Sequence, residues 1–507
     1  MVSVRSSRRL LAAPAALAVA VAVLATACGL GACDATPTGG TLDGIRARGE
    51  IVWAADLQGG APYVFEDPKD PGKKRGFEVD IMDSVARRLG VRARMVQYNW
   101  SGIVPSLERG DFDLAMNGIE ATAERAQRVL LSRPYYVYGE ILAVRTGSPF
   151  RTLADLAGRP VATLNQTVAY DMLRASQVVL RIYEGVEEPY TDLLHARVDG
   201  VLLDDVIANQ FGCATAGLTC LPDELARGSY VVVMRKADTD LKAAIDAALE
   251  AMIADGEIET ILRTWKLWNS RQTDPPPPLP TADDAGATKR TFDGEQMKLF
   301  LEGAGITLIV SLLAFLIAIP IGVILATARV YGHPTARIAA RIYIELFRGT
   351  PVLLQLFVLY YGFAPIWNLD PMQAAILGLG LNYAAYEAEV YRGALLAVPR
   401  AQTEAAKALG LGKLQSLRYV LFPQAFAIAI PAMTNDFVSL LKDSSLISVI
   451  TVIELTKRMT IAAVDLHGWL VPGLACAALY LALSLPLSEL ARRLERRLAR
   501  DQRPRTL

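Results

Sequence analysis

Hydrophobic positions divide the chain into two regions of different character. From residue 41 to 268, short apolar stretches alternate with amphipathic segments, which is the pattern of an α/β fold. Apolar residues recur at helical spacing over 78–89, and strands are predicted over 51–54 and 161–164. The second strand opens another α/β unit that begins near residue 153. The pattern therefore predicts two lobes of similar size with a cleft between them.

The C-terminal region contains five apolar stretches, each long enough to cross a hydrocarbon core of about 30 Å. They cover residues 303–327, 342–363, 374–396, about 422–441 and 469–487. Arginine and lysine are concentrated in the first and third loops between these stretches and in the C-terminal tail. By the positive-inside rule those parts are cytoplasmic, so residues 41–294 are expected outside the cell membrane. We predict an all-α transmembrane domain of about five helices over 295–507.

Two further segments frame the α/β domain, which we place at 41–270. Residues 1–33 combine early arginines with an apolar run, as in an export signal, and either Cys28 or Cys33 fits the lipidated cysteine of a lipoprotein. An uncleaved signal anchor is the alternative, and it would place the domain on the same side of the membrane. Residues 271–294 contain four consecutive prolines and predict a semi-rigid linker.

Composition limits the function classes to which the chain can belong. Hydrophobic residues make up 52% of its 507 residues, too many for an average soluble protein, and zero net charge argues against a dedicated nucleic-acid binder. The sequence has no P-loop for ATP. Its three histidines are too scattered for a metal site or a catalytic triad, so no metal or cofactor is expected. Cys213 and Cys220 share the exported domain, where they form either a small disulfide or two free thiols.

Four segments of the α/β domain resemble family 3 extracellular solute-binding proteins, the receptors for polar amino acids. They are residues 76–81, 100–107, 113–120 and 124–125, and they occur in the family's order. The resemblance spans nearly the whole domain. It implies a bilobed, periplasmic-binding-protein-like fold whose lobes close on the ligand by hinge motion.

The resemblance also implies roles for individual residues. Arg125 corresponds to the arginine that binds the ligand carboxylate, Asp204 to the acid that binds its ammonium, and Trp100 to an aromatic ring that stacks on its side chain. Glu120 either strengthens ammonium binding or recognises a cationic side chain, and the sequence leaves both readings open. The full set of implied ligand-binding residues is Asp56, Trp100, Asn117, Gly118, Glu120, Arg125, Thr167 and Asp204.

Two departures from the family pattern bear on the ligand. Relatives often have glycine followed by Thr or Ser after the strand that enters the second lobe, whereas residues 164–167 read Leu-Asn-Gln-Thr. Thr167 can keep the hydroxyl, but the glycine is lost. Residues 57–60 offer no aromatic ring where some relatives place a second one, which favours a smaller or more polar ligand side chain.

The C-terminal region resembles the permeases of polar amino acid ABC importers, of the type that transports histidine and glutamine. Residues 343–357 and 440–446 carry two of the family's patterns. A third is the coupling loop over 400–423, where the resemblance implies that Glu404, Ala405, Ala406 and Gly410 dock onto a cytoplasmic ATPase. Two short helices, 402–409 and 413–421, are predicted on either side of Gly410, because glycine permits the left-handed backbone that ends the first helix.

These resemblances imply one function for the whole chain. It would be the receptor and the permease of an ATP-driven importer for polar amino acids in the bacterial inner membrane, a transporter subunit rather than an enzyme. Its ATPase subunits would be separate chains, and its pore would require either a homodimer or a second permease. A ligand-gated channel and a bilobed enzyme of the dehydratase type are the alternatives. Neither alternative explains the coupling loop.

Overall fold

The computed structural model describes residues 41–284, 291–466 and 468–501. The export signal and its two candidate lipid acceptors, Cys28 and Cys33, lie outside the described residues. Within them, an α/β region is followed by a helical region, as the hydrophobic pattern predicts.

Two five-stranded mixed sheets form the α/β region, one in each lobe. The lobe 1 sheet has the order β4-β1-β5-β12-β6, and the lobe 2 sheet has the order β11-β7-β10-β8-β9. Strands β1, β4 and β5 run parallel, as do β10, β8 and β9. A two-stranded ribbon joins β2 to β3. The strands are β1 Glu50–Ala55, β2 Phe65–Asp67, β3 Asp70–Arg75, β4 Arg92–Gln97, β5 Leu114–Ala115, β6 Val129–Leu131, β7 Tyr136–Arg145, β8 Pro160–Leu164, β9 Val179–Tyr183, β10 Gly200–Asp204, β11 Leu218–Tyr230 and β12 Val233–Arg235.

Helices cover the sheets of both lobes and bury their apolar stripes against them. The helix predicted over 78–89 is confirmed, with Ile81 and Val85 fully buried. The helices of this region are α1 Thr41–Arg48, α2 Phe77–Leu89, α3 Ile103–Arg109, α4 Ala123–Arg128, α5 Val168–Arg174, α6 Glu188–Leu194, α7 Asp205–Ile207, α8 Thr239–Ala254 and α9 Glu257–Thr264. Cys213 and Cys220 form a disulfide in lobe 2, which decides between the two alternatives left open by the sequence.

The chain crosses between the lobes twice, and the two crossings lie side by side. One joins β6 to β7 and the other joins β11 to β12. Ser132 N donates to Val232 O at 2.9 Å, and Tyr135 N donates to Tyr230 O at 3.1 Å. Lobe 2 therefore begins at β7, earlier than residue 153, where the sequence pattern placed its start. The reason is that β7 is a long buried strand that is hydrogen-bonded to β10 and β11 of the lobe 2 sheet. Two adjacent crossings are a natural hinge.

Part of the proline-rich segment packs against the α/β region. Gln272 exchanges two hydrogen bonds with the backbone of Val137. Arg271 pairs with Asp205 and Glu224 of lobe 2. Leu279 packs on the lobe 1 core, beyond the prolines. Up to residue 284, this part of the segment therefore belongs to the surface of the α/β region, which the composition of the segment alone did not indicate.

The helical region contains three helices that are long and apolar enough to cross a membrane, or four spans if one bent pair counts as a span, among the described residues. The 27-residue helix α13 packs between them but carries charged residues in its second half. The helices are α10 Gly294–Tyr331, α11 Pro334–Gly349, α12 Val352–Phe357, α13 Pro371–Ala397, α14 Arg400–Ala408, α15 Lys413–Ser416, α16 Phe422–Asp443, α17 Leu455–Asp465 and α18 Leu470–Asp501.

One of the predicted spans is bent in the structure. The stretch predicted as one span over 342–363 is bent by 106° between α11 and the α12 segment. Thr350 is extended there (φ −123°, ψ 146°), because the proline that follows, Pro351, disfavours helical backbone before it. The span predicted over about 422–441 lies within the candidate span from Lys413 to Ile450, which extends further at both ends.

Close packing of α10 on α13 forms the centre of the helical region. A side chain at Gly322 of α10 would place its Cβ 2.7 Å from Glu387 Cβ and 3.1 Å from Ala388 N. Gly380 of α13 has a comparable approach to Ala314 O, at 3.1 Å. Small residues at such crossings allow two helix backbones to approach, which is the main source of attraction between helices in lipid.

We expect Gly322→Val to force these helices apart and to lower the unfolding free energy by about 1–3 kcal/mol, the usual cost of overpacking. Gly305→Val is the matched control, because it makes the same change on the same helix where no atom lies within 4 Å of the added Cβ. Thermal unfolding of the two variants in detergent measures the difference. Equal melting temperatures would contradict the close crossing.

Candidate functional site

A cavity of about 50 Å³ lies between the lobes, where the parallel strands of both sheets end. Seven of the eight residues implied by the family resemblance line it, and Arg125 is the exception. Its lining is Asp56, Gln58, Gly59, Tyr63, Trp100, Asn117, Gly118, Glu120, Leu164, Thr167, Glu184, Val186, Asp204 and Ile207.

The lobes are closed over this cavity by hydrogen bonds that cross the cleft. The indole of Trp100 donates to Asn165 O at 2.9 Å. Glu120 Oε2 accepts from Val168 N at 2.9 Å. Tyr63, on lobe 1, donates to the carboxylate of Asp204, on lobe 2, at 2.9 Å. These bonds satisfy buried polar groups across the cleft.

Arg125 takes part in this closure and does not face the cavity. Its guanidinium donates to Glu120 O at 2.8 Å and to Gln166 O of lobe 2 at 2.6 Å. It also lies over the ring of Trp100, 5.5 Å from the centroid. The direct contact with a ligand carboxylate implied by the resemblance therefore requires this side chain to change partners, and it stays a prediction.

The lobe 1 wall is held in place by hydrogen bonds among its own residues. Asp56 accepts from Gln58 N, from the Gln97 amide and, at 2.7 Å, from Trp100 N, so it fixes the base of the aromatic side chain. Asn117 accepts from Asp56 N at 2.7 Å. Gly118 has φ +61°, and a Cβ there would lie 2.7 Å from the ring of Tyr63, so this position requires glycine.

On the lobe 2 wall, the turn after β8 explains the unusual sequence at 164–167. Gln166 has φ +61°, in the left-handed region that favours glycine, and its carbonyl faces Arg125. A left-handed residue is therefore present at this turn although the sequence has no glycine here. Thr167 lines the cavity, but its hydroxyl donates to Leu164 O and caps α5 by accepting from Tyr170 N.

Negative charge dominates the cavity and the wall behind it. Burial raises the pKa of Glu120 to about 7, while the nearby Arg125 lowers it. Burial also raises the pKa of Asp204, against hydrogen bonds from Ile207 N, Tyr230 and Tyr63 that favour its ionised form. Glu140 is fully buried and lies opposite Asp204 on the neighbouring strand, β7. A cationic group in the cavity would favour ionisation of these acids.

Seven of the fourteen lining residues are absent from the predicted set, and Tyr63 and Glu184 are the two among them that matter most for the chemistry of the cavity. Residues 57–60 have no aromatic side chain, but Tyr63, a few residues later, supplies an aromatic ring to the same wall of the cavity. The sequence signal was the aromatic pair Tyr63 and Phe65 so soon after Asp56. Glu184 directly follows β9. An acid at the end of a parallel strand is a sequence signal for a cleft residue, because neighbouring parallel strands end at the same edge of the sheet.

Lobe 2 also contacts the helical region through a second group of polar side chains. Asp192 and Arg197 form an ion pair at 2.9 Å in which both side chains are at least 96% buried. The hydroxyl of Tyr360 donates to Asp192, and Arg197 donates to Tyr360 O at 2.9 Å and to Asn368 Oδ1 at 3.0 Å. Nearby, Lys457 pairs with Glu184. We refer to these six residues as the docking contact.

The predicted coupling segment has the expected local structure. Helix α14 contains Glu404, Ala405 and Ala406, and Gly410 follows it with φ +78° in the left-handed conformation. The second helix begins at Lys413 and continues through Leu421 as a π-helical turn into α16. The side chains of Leu409 and Leu414 are 81% and 77% exposed, so an apolar surface is available at this turn.

Comparison with known proteins identifies both regions. Residues 318–500 match the model of the binding-protein-dependent transport system inner membrane component. The glutamine transport system permease protein GlnP of Escherichia coli (strain K12) is 36% identical over 203 residues, which are 39% of this chain and 93% of that protein. The chain belongs to this permease family. The L-cystine transport system permease protein TcyB of Bacillus subtilis (strain 168) is 38% identical over 197 residues, which are 38% of this chain and 84% of that protein.

The receptor region matches a second family on the same polypeptide. Residues 54–267 match the model of bacterial extracellular solute-binding proteins, family 3. The structure of holo ArgBP from T. maritima is 29% identical with a TM-score of 0.40, covering 44% of this chain and 99% of that one. An ancestral amino acid-binding protein, a precursor of cyclohexadienyl dehydratase, is 26% identical with a TM-score of 0.41, covering 45% and 99%. The predicted fusion of a solute-binding domain with a permease is confirmed.

We predict that ligand affinity of this permease rises with pH and that Glu120 is responsible. Burial keeps Glu120 largely protonated below its pKa of about 7. A bound ammonium group requires the ionised form, so binding must release this proton at low pH and becomes stronger as pH increases from about 5 to 8. Calorimetry in buffers of different ionisation enthalpy measures the release.

Glu120→Gln should abolish most of this proton release. Glu78→Gln is the control, because burial raises the pKa of Glu78 to about 7 as well, but Glu78 does not line the cavity. Equal proton release in the wild type and in Glu120→Gln would remove Glu120 from the binding site.

A further prediction concerns the docking contact. Tyr360→Phe combined with Asn368→Ala removes three hydrogen bonds to lobe 2 without changing the receptor. Asp192 loses a buried donor, so we expect faster amide hydrogen exchange in α6, which carries Asp192. Tyr331→Phe removes a hydroxyl outside the contact and should leave exchange in α6 unchanged. Unchanged exchange in the double variant would mean that lobe 2 does not rest on the permease.

Proposed function

We propose that this chain is the receptor and permease subunit of an ATP-driven importer for polar amino acids. The lobes capture the amino acid outside the membrane, and the helical region passes it inward. The single observation that carries the proposal is a family 3 receptor fused to a member of the permease family, with Asp192 and Arg197 of the receptor hydrogen-bonded to the permease. The permease family also favours a transporter subunit over a bilobed enzyme or a ligand-gated channel.

The amino acid is proposed to bind in the interlobe cavity. Asp204 and Glu120 suit its ammonium, because both are buried carboxylates at the cavity wall. Trp100 and Tyr63 provide aromatic surface for the side chain. Arg125 and the backbone near Thr167 would bind the ligand carboxylate. Relatives of the permease are named for the transport of glutamine and L-cystine, which supports a polar amino acid as the ligand.

Energy is proposed to come from separate ATPase subunits that dock at the segment around Glu404 and Gly410. Two helices that meet at a left-handed glycine, with exposed apolar side chains at the turn, form a surface suited to a groove on another protein. The turn would be cytoplasmic and the receptor extracytoplasmic, in agreement with the distribution of basic residues. A complete pore would need a second permease chain, identical or different. Export by the N-terminal signal, with lipidation at Cys28 or Cys33, is part of the same proposal.

The coupling assignment predicts a specific loss of transport. Gly410→Val places a β-branched side chain at φ +78°, where only glycine is unstrained, and should displace α14 from α15. We expect ATP-driven uptake of labelled L-glutamine and L-arginine into membrane vesicles to fall at least tenfold if docking fails. Ligand binding at the distant cleft should be unchanged.

Gly412→Val provides the matched control, since Gly412 has φ −67° and ψ 166°, a backbone that any residue adopts. It should retain most of the uptake. If Gly410→Val transports normally, the coupling segment is wrongly assigned. If the wild-type chain neither binds nor transports an amino acid, the proposed function itself is wrong.

A further inference from the structure

We propose that Lys457 of the permease competes with a cationic amino-acid side chain for the carboxylate of Glu184, and so promotes release of the ligand from the docked receptor. The inference rests on the proposed function, because it assigns a side-chain subsite and a release contact to the cleft of that importer. It makes the preferred ligand a cationic amino acid.

The positions of the acids match the length of such a ligand. Asp204 ends β10 and Glu184 directly follows β9, and these strands flank β8 in the lobe 2 sheet. Strands that are two apart in a sheet are separated by about 10 Å. An amino acid whose ammonium faces Asp204 can therefore place a second cation near Glu184 only if its side chain is long. Lysine and arginine have such side chains, with a charged group on a flexible stem.

The charge of the cavity favours the same class of ligand. Four of the lining residues are acids, namely Asp56, Glu120, Glu184 and Asp204, and none of the described lining residues is Lys, Arg or His. A ligand with a second positive charge therefore offsets more of the charge of these acids than a neutral zwitterion does.

Among these acids, Glu184 is the one whose partner belongs to the permease. Asp56 is held by lobe 1 donors, and Glu120 and Asp204 take part in the contacts that close the cleft. Glu184 is 45% exposed and accepts from Lys457 Nζ at 2.5 Å. Its carboxylate thus lies at the cavity wall on one side and at the docking contact on the other.

Lys457 is held in place to occupy this carboxylate. It lies in the first turn of α17, and its side chain is only 3% exposed although it carries a charge. At the far end of α17, Asp465 accepts from Arg174 of lobe 2 at 2.9 Å, so this helix is fixed against the receptor at both ends. A buried ammonium needs a charged partner, and Glu184 provides it.

Competition follows because one carboxylate cannot fully pair with two cations. In the docked chain Lys457 holds Glu184, which weakens the subsite for the ligand side chain. By thermodynamic linkage a cationic ligand bound at Glu184 weakens docking by the same factor. Ligands without a side-chain cation should be indifferent to Lys457.

Binding of L-arginine, L-lysine and L-glutamine to the full chain in lipid nanodiscs tests the inference. Glu184→Gln should weaken arginine and lysine binding roughly tenfold more than it changes glutamine binding, the scale of a hydrogen bond to a charged group. Lys457→Met should strengthen arginine binding about two- to fivefold, the scale of one partly exposed ion pair, mainly through slower dissociation. In the Glu184→Gln background, Lys457→Met should have no further effect on arginine.

Two control variants separate this role from a structural one. Lys457→Arg keeps the cation and should resemble the wild type, whereas Lys298→Met removes an exposed lysine at the start of α10 and should change nothing. Glutamine affinity in each variant reports whether the cleft is still folded.

The possible results distinguish a failure of the Lys457 competition from a failure of the proposed importer function. Unchanged arginine affinity in Lys457→Met, or an equal gain for arginine and glutamine, overturns the competition. Binding of glutamine without binding of arginine or lysine also overturns it, while the importer function stands. If the wild type binds none of the three amino acids, the proposed function fails and this inference fails with it.

Discussion

Buried carboxylates that depend on the opposite lobe are the constraint around which the receptor is organised. Glu120 of lobe 1 is satisfied by a backbone donor of lobe 2, and Asp204 of lobe 2 accepts from Tyr63 of lobe 1. An unsatisfied buried acid is costly, so the closed cleft is stable only when these contacts form or when a ligand replaces them. A ligand that carries positive charge replaces them best. The two adjacent crossings between the lobes allow the exchange without unfolding either sheet.

Much of this organisation follows from sequence, because it rests on local periodicity and on short motifs. Helix α2, strands β1 and β8 and the break at Gly410 all come from patterns within one element. The bend at Pro351 also has a local cause, the proline itself. The apolar run that contains it nevertheless predicts one straight span, because hydropathy measures how apolar a segment is and not where its backbone bends. Residues such as Tyr63 and Glu184 were missed for another reason. Their place in the cleft depends on how turns and strand ends from distant parts of the chain meet, which one sequence does not encode at short range.

The arrangement of receptor and permease was the least predictable part. Composition of the proline-rich segment indicated a rod, which would hold the receptor away from the membrane. In the structure Arg271, Gln272 and Leu279 pack on the receptor, and lobe 2 rests directly on the permease through Asp192 and Arg197. Asp192 and Arg197 both belong to lobe 2, and their ion pair holds the two side chains where Tyr360 and Asn368 of the permease contact them. Such hydrogen bonds contribute little net stability, but they impose geometry, because a buried polar group tolerates only a position that satisfies it. The docking contact is therefore better suited to fixing orientation than to holding the two regions together.

Covalent attachment would make weak docking sufficient. A receptor tethered by a short segment has a local concentration on the order of millimolar at its own permease, whatever the amount of protein in the cell. Affinity of the docking contact is then free to be low, and a low affinity allows the receptor to leave after each delivery. A separate receptor would need tighter docking to be found at the permease for the same fraction of time, and tight docking would slow its departure. Fusion thus moves the requirement from the strength of the contact to its geometry, which is the property that buried, directional polar contacts such as those of Asp192, Arg197 and Tyr360 supply.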